Sequence, residues 1–204
     1  LSDVFAHPWN MTLGAIQDNS LVREISKRMA EQNKALGVHI NYSPSVDVNN
    51  NSKNPIIGNR SFGEDPINVY RKAKAYIQGH KDVGVYTSIK HFPGHGDTDK
   101  DSHKTLPVIS GNMKRLNNVE LFPFKKLIDE GLAESVMLAH LSVPAIDKKY
   151  PSSLSYKTVG KLLREEYNFD GITVTDALDM KGVLQDPAIN CLLYTSPSPR
   201  DEQS

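Results

Sequence analysis

Apolar residues follow two alternating spacings along the chain. In residues 21–36 they recur about four positions apart, at Leu21, Ile25 and Met29 among others, which predicts an amphipathic helix. Gly37 is a residue type that commonly ends helices, and the stretch after it predicts a short strand. The same alternation then continues to residue 176. It predicts helices over residues 66–80, 119–132 and 155–167, and strands over residues 38–42, 84–91, 135–140 and 171–176.

Polar residues stand at the carboxyl ends of the predicted strands. Strands that alternate with helices pair in parallel through right-handed crossovers, which gives either a doubly wound sheet or a barrel. Polar groups at the ends of several strands favour the barrel, because a barrel collects its chemistry on that face. The sequence has no G-x-G-x-x-G loop, which a doubly wound nucleotide-binding sheet would need. We therefore expect an α/β, (β/α)8 TIM-barrel-like fold. These polar residues are Asp47, Lys90, His91, His140 and Asp176.

The predicted strands number four or five, fewer than the eight of a closed barrel, so we expect a barrel that is incomplete at both ends. Residues 1–190 are assigned to it. Residues 191–204 break the pattern, and the segment CLLYTSPSPRD at 191–201 resembles the translated reading frame of a sequencing adapter. This resemblance predicts a non-native tail. A Ser/Pro-rich linker to a further domain is the alternative.

Composition excludes some classes of partner. Lys and Arg total 24 and Asp and Glu total 24, so the formal net charge is zero. The chain as a whole therefore does not attract the negative charge of nucleic acid or anionic lipid, and we expect neither as a partner. No apolar run reaches the roughly 20 residues that a membrane span requires. With one cysteine, Cys191, the chain cannot form an internal disulfide.

The segment from Lys90 to residue 103, KHFPGHGDTDKDSH, concentrates three histidines and three aspartates at a strand end. Residue types alone leave three interpretations. The first is a metal site, with ligands drawn from His and Asp side chains. The second is acid–base catalysis, with Asp101 orienting His103. The third is a polar loop whose side chains satisfy backbone groups. The candidate metal ligands are His91, His95, Asp97, Asp101 and His103.

Four segments in the same order resemble glycoside hydrolase family 3, in its β-N-acetylglucosaminidase branch. They are NYSPSVDV at 41–48, NPIIGNRSFGEDP at 54–66, KHFPGHGDT at 90–98 followed by DSH at 101–103, and VTDALDM at 174–180. The resemblance implies a retaining glycosidase that removes terminal β-linked N-acetylhexosamine through a glycosyl-enzyme intermediate. It implies a carbohydrate substrate, such as an amino-sugar glycoside or a peptidoglycan fragment, and no cofactor or metal.

The resemblance also assigns roles. Asp176 matches the nucleophile, His103 the general acid/base, and Asp101 the partner that orients His103. Sugar-binding positions match Asp47, Arg60, Lys90 and His91. His140 lies on the same face, where we expect it behind or within the sugar site.

For three residues, a structural role competes with the functional one. Arg60 could pair with Glu64 or Asp65 on the surface. Asp47 could cap a local turn. For Trp9, a place in the core or at an edge is preferred over stacking on a sugar.

Two other functions stay open at this stage. A β-glucosidase-type member of the family lacks the DSH segment at 101–103, so that segment argues against it. A non-catalytic sugar-binding fragment would require loss of a catalytic residue, and all are present. The family's upstream segment with its Gly-Gly pair is absent, so we expect the 204-residue fragment itself to be inactive. The sequence leaves cellular location open.

Overall fold

The computed structural model describes residues 6–98, 106–178 and 180. Within them, four parallel strands form one sheet in the order β1-β2-β3-β4. A sheet in which neighbours follow chain order without reversal is typical of a barrel segment, whereas a doubly wound sheet reverses at its switch point. The strands are β1 (Ile40–Asn41), β2 (Tyr86–Phe92), β3 (Ser135–Leu138) and β4 (Ile172–Thr175).

Helices connect the strands, as the alternating pattern predicts. Asp65 caps α3 by accepting hydrogen bonds from the backbone N–H groups of Ile67 and Asn68, with Pro66 in the first turn. Gly37, just after α2, has a positive φ of 75°, which suits glycine. The helices are α1 (Asn10–Ala15), α2 (Asn19–Ala35), α3 (Pro66–Lys81), α4 (Met113–Asn118) and α5 (Phe122–Asp129), together with a 3-10 turn (Gly58–Arg60) and a π-helix (Lys157–Glu166).

The helix predicted over residues 119–132 is present with narrower bounds, as α5 (Phe122–Asp129). A separate helix that the pattern did not predict, α4, ends just before that range at Asn118. Pro123 lacks a backbone N–H and is tolerated only in a first helical turn, so it starts a new helix. The interruption leaves Glu120 between the two helices, where it is buried.

The core lies between the sheet and the helices. β3 is buried along its length, with Val136 opposite Ile89 of β2. Phe92 packs edge-on against Phe124 of α5 at 5.3 Å. β4 differs from the expected buried strand: β3 is its only partner among the described residues, and its side chains are exposed or half-buried. Within the described ranges no helix has the length and apolar character needed to cross a membrane.

Candidate active site

The site is built where the strands end. The segment after β1 runs beside β2, since the backbone N–H of Val46 donates to the carbonyl of Lys90 at 2.7 Å. Two strands further along, the backbone N–H of Asp176 donates to the carbonyl of Leu138 at the end of β3. Asp47, Lys90 and Asp176 therefore stand at the same edge of the sheet, as the sequence predicts.

Asp47 is the most densely hydrogen-bonded carboxylate of this edge, and it is fully buried. Its Oδ2 accepts hydrogen bonds from Ser45 Oγ at 2.6 Å and from His91 Nδ1 at 2.7 Å. Its Oδ1 accepts from the backbone N–H groups of His95 at 2.7 Å and His91 at 3.2 Å. These backbone donors lie 44 and 48 positions further along the chain, so the alternative of a local turn cap is wrong.

This set of partners keeps Asp47 ionised. Burial alone would raise the pKa of the carboxyl, but the electrostatic attraction and hydrogen bond of His91 oppose it. His95 and Ser45 add to the effect, and the net pKa of Asp47 lies well below its ordinary value. Asp47 is thus a fixed negative charge beneath the imidazole of His91.

Arg60 contacts the other side of His91. Its Nη2 lies 3.2 Å from His91 Nε2, and its Nη1 donates to the carbonyl of Ile56. A carboxylate only accepts, so the Nδ1 of His91 donates to Asp47. No ion pair joins Arg60 to Glu64 or Asp65 in the described ranges, so the surface-pair alternative is wrong.

Lys90 and Asp176 are half-buried, and both remain partly accessible to a ligand. Burial lowers the pKa of Lys90, and the nearby charge of Arg60 lowers it further. The carboxylates of Asp176 and Asp47 act in the opposite direction, which places both within electrostatic reach of the ammonium. Two cations and an accessible carboxylate thus share one edge.

His140 supports the backbone that carries Asp176. Its Nε2 lies 3.1 Å from the carbonyl oxygens of Asp176 and of Ala177, and its Nδ1 lies 2.7 Å from Ser153 Oγ. It is buried, and burial lowers its pKa, which favours the neutral ring. Both ring nitrogens are used within the protein, so the structure places His140 behind the site rather than facing a sugar.

The segment after β2 is packed tightly against its neighbours. A Cβ on Gly96 would lie 1.7 Å from the carbonyl oxygen of Val48, so only glycine fits there. Asn54 Nδ2 holds the segment by donating to the carbonyls of His95 and Gly96. Asp101 and His103, the predicted acid/base pair, lie outside the described residues.

Comparison with known proteins identifies the family. The sequence model of the glycosyl hydrolase family 3 N-terminal domain matches residues 2–190. The chain belongs to glycosyl hydrolase family 3.

Three similar proteins illustrate the likeness. The chain is 36% identical over 188 residues to "Beta-hexosaminidase A" of Pseudoalteromonas piscicida, covering 85% of this chain and 31% of that protein. A family 3 beta-N-acetylglucosaminidase structure from Paenibacillus sp. has a TM-score of 0.87 at 41% identity, covering 90% of this chain and 35% of that one. A beta-glucoside phosphorylase structure named BglX has a TM-score of 0.85 at 32% identity, and the match covers 88% of this chain and 34% of that one. The chain therefore spans about a third of each relative.

These comparisons confirm the predicted family and the TIM-barrel-like α/β fold. The predicted boundary at residue 190 and the tail after it lie outside the described residues and stay predictions. So do the catalytic roles assigned by resemblance.

Trp9 does not lie in the core, which was one of the two places expected for it, the other being an edge. Trp9 is 65% exposed, and it lines a cavity of about 200 Å³ beside Arg60 and Lys90. A lone aromatic in a sequence carries no signal of which way it will face, because that depends on the tertiary position of α1.

Residues that hold this family 3 site in shape were missed by sequence reasoning. Glu120 Oε1 accepts from Arg115 Nη2 at 2.8 Å, and the same nitrogen donates to Asp97 Oδ2 at 2.6 Å. Arg115 thus ties the segment after β2 to the junction of α4 and α5. His95 was considered only as a metal ligand, but its backbone N–H bonds Asp47. No group of three or more metal-binding side chains occurs within the part of the chain that the structure describes.

Proposed function

We propose that the whole protein is a retaining glycoside hydrolase that removes terminal β-linked N-acetylhexosamine, in particular N-acetylglucosamine. One observation carries the proposal: Asp176 stands half-buried at the carboxyl end of β4, on a backbone held by His140 and Leu138 and within electrostatic reach of Lys90. The matched relatives named beta-hexosaminidase and beta-N-acetylglucosaminidase support the same choice of sugar.

In this proposal Asp176 attacks the anomeric carbon. A retaining mechanism needs an ionised nucleophile and a second group that first gives and then takes a proton. Asp176 forms a covalent glycosyl ester as the leaving group departs, and water then releases the sugar with the original configuration. His103, oriented by Asp101, protonates the leaving oxygen and later accepts the proton of water. A histidine suits this exchange because it titrates near neutral pH.

The remaining residues bind and orient the sugar. Lys90 and Arg60 supply charged donors for sugar hydroxyls and attract the Asp176 carboxylate. His91 is fixed between Asp47 and Arg60, so its ring has one orientation in which to meet a hydroxyl. A direct contact of Asp47 with sugar stays a prediction, because its two oxygens already accept hydrogen bonds from three residues. Peptidoglycan fragments are one source of the substrate.

The test compares rates on 4-nitrophenyl N-acetyl-β-glucosaminide and on the matching β-glucoside. We expect clear preference for the N-acetylated substrate, release of the β-anomer first by proton NMR, and a loss of about 10³-fold or more in the rate of Asp176→Ala. Asp170→Ala is the matched control, since Asp170 is an exposed carboxylate just before β4. Preference for the β-glucoside would favour the β-glucosidase-type alternative.

Two further results would contradict hydrolysis of this kind. Formation of sugar phosphate at the expense of free sugar in phosphate buffer would indicate a phosphorylase, as the relative named BglX is. Binding of N-acetylglucosamine without turnover of any glycoside would indicate the non-catalytic sugar-binding alternative.

A further inference from the structure

Trp9 is a large aromatic side chain left open beside the two cations of the site. Its side chain is 65% exposed, whereas Trp is a highly buried residue type on average. The cavity that it lines measures about 200 Å³ and also touches Arg60 and Lys90. The rest of the lining is small and mainly polar: Pro8, Asn10, Ser43 and Ser45.

The backbone of Trp9 is fixed relative to Arg60. Trp9 precedes the first residue of α1, and its carbonyl accepts a hydrogen bond from the backbone N–H of Leu13 at 3.1 Å. The next residue, Asn10, donates from Nδ2 to the carbonyl of Arg60 at 2.8 Å. Leu13 is fully buried, and a Cβ on Gly14 would lie 1.9 Å from the carbonyl oxygen of Phe62. Helix α1 therefore cannot shift without disturbing the turn that presents Arg60.

This combination matches the chemistry of a pyranose ring. Such a ring has an apolar face of C–H groups and a rim of hydroxyls, so it needs a flat apolar surface flanked by hydrogen-bonding groups. The indole supplies the surface, and Lys90 and Arg60 beside it supply the polar groups. A structural role in the core would instead bury the indole.

We propose that Trp9 is the stacking surface of a pyranoside-binding subsite that it forms with Arg60 and Lys90. The proposal rests on the proposed function and adds a specificity-determining residue to it. The stacked ring is either the N-acetylhexosamine that is transferred or the sugar that leaves. The two substrates of the experiment distinguish these possibilities.

The experiment measures kcat/KM of the whole protein on two substrates. One is 4-nitrophenyl N-acetyl-β-glucosaminide, which has a single sugar ring, and the other is N,N′-diacetylchitobiose, which has two. The variants are Trp9→Ala and the conservative Trp9→Phe. Tyr86→Ala is the control, because Tyr86 is a comparably exposed aromatic, 58%, at the opposite end of β2 from Lys90. Thermal midpoints verify that each variant is folded.

We expect Trp9→Ala to lower kcat/KM about tenfold or more, mainly through KM, and Trp9→Phe to stay within about threefold of wild type. A loss on both substrates places the transferred sugar on the indole. A loss on the disaccharide alone places the leaving sugar there. Trp9→Ala within twofold of wild type on both substrates overturns the proposal, and so does Trp9→Phe being as impaired as Trp9→Ala.

A binding measurement keeps this result separate from the proposed function. Subtracting the fluorescence of Trp9→Phe from that of wild type isolates the emission of Trp9. We expect N-acetylglucosamine to change that emission saturably, and Lys90→Ala to abolish the change. If wild type hydrolyses neither substrate, the proposed activity fails, and this titration still decides the subsite: a saturable change supports it and an unchanged emission refutes it.

Discussion

At the scale of single residues, the site depends on one buried charge. Asp47 is held by donors from three residues of two different segments, and through His91 it fixes the position of Arg60. Sequence reasoning placed Asp47, Lys90, His91 and Asp176 at strand ends, and the structure brings them to one edge. The reason is general: parallel strands end on the same side, so polar residues that follow them converge.

Sequence reasoning was weaker where an outcome depends on packing in three dimensions. Trp9 was expected in the core or at an edge, and its indole lies open to solvent. The choice could not be made from the sequence, because the orientation of a lone aromatic is set by the docking of α1 on residues 58–62. Glu120 was counted inside a helix and is buried between two helices. Neither residue belongs to a periodic pattern that would have indicated its place.

The acid/base role of His103 predicts a specific failure in His103→Ala. Proton transfer contributes about 10²–10⁴-fold, so poor leaving groups should lose that much. An aryl glycoside with a good leaving group needs little protonation, so its first step should survive while hydrolysis of the intermediate slows. Azide, which needs no base, should then attack the anomeric carbon, displace the Asp176 carboxylate and give a β-glycosyl azide.

The readout is the rate with and without azide, with the product identified by NMR. Asp176→Ala is the comparison, because it has no carboxylate to displace and should give no β-azide. Equal losses of His103→Ala on good and poor leaving groups, without rescue by azide, would refute the assignment. A metal role would then be tested by dialysis against a chelator.

At the scale of elements, Arg115 ties the segment after β2 to the start of α5. The segment leads from Asp97 towards the predicted acid/base His103, so its position should matter for chemistry more than for binding. We expect Arg115→Met to lower kcat at least tenfold with KM within about threefold, and Arg115→Lys to recover part of the loss. Arg28→Met is the control, since Arg28 pairs with Glu24 on the surface of α2. An unchanged kcat in folded Arg115→Met would exclude this role.

His80 joins α2, α3 and β1 and predicts how stability depends on pH. Its Nδ1 lies 2.7 Å from Ser26 Oγ, and Asn41 Nδ2 lies 2.9 Å from its Nε2. Ser26 Oγ already donates to the carbonyl of Tyr76, so Nδ1 carries the proton and the neutral ring fits its partners. Burial lowers the pKa of His80 from 6.5 to about 4.

Between pH 6.5 and about 4, His80 is therefore protonated in the unfolded chain but neutral in the folded one. The free energy of unfolding falls as the pH falls through this window. At pH 5 the expected loss relative to pH 7.5 is about 2 kcal/mol from this residue. Urea unfolding of wild type and His80→Gln at the two pH values measures it. His39→Gln is the control, because His39 is exposed. A pH dependence that is the same in His80→Gln and wild type would contradict the account.

At the scale of the whole molecule, the order of elements was the most predictable feature. The alternation of helical and strand spacings predicted parallel strands joined by helices, and the polar residues at the strand ends favoured a barrel over a doubly wound sheet. Both signals can be read from short segments of the sequence. The ends of elements were less predictable: β1 was expected over residues 38–42 and has two residues, Ile40–Asn41. Strand length depends on pairing with β2, which the sequence of β1 alone does not contain.

The central claim is that the edge carrying Asp47, Lys90 and Asp176 is the active site of a retaining family 3 enzyme. The most direct measurement is mass spectrometry of the whole protein after reaction with 5-fluoro-N-acetylglucosaminyl fluoride. Fluorine at C5 slows both steps by destabilising the oxocarbenium-like transition state, and the fluoride leaving group lets the first step proceed, so the intermediate accumulates. We predict one sugar adduct on the peptide that contains Asp176, absent in Asp176→Ala. An adduct on a different carboxylate, or turnover of the reagent with no adduct at any time, would contradict the account.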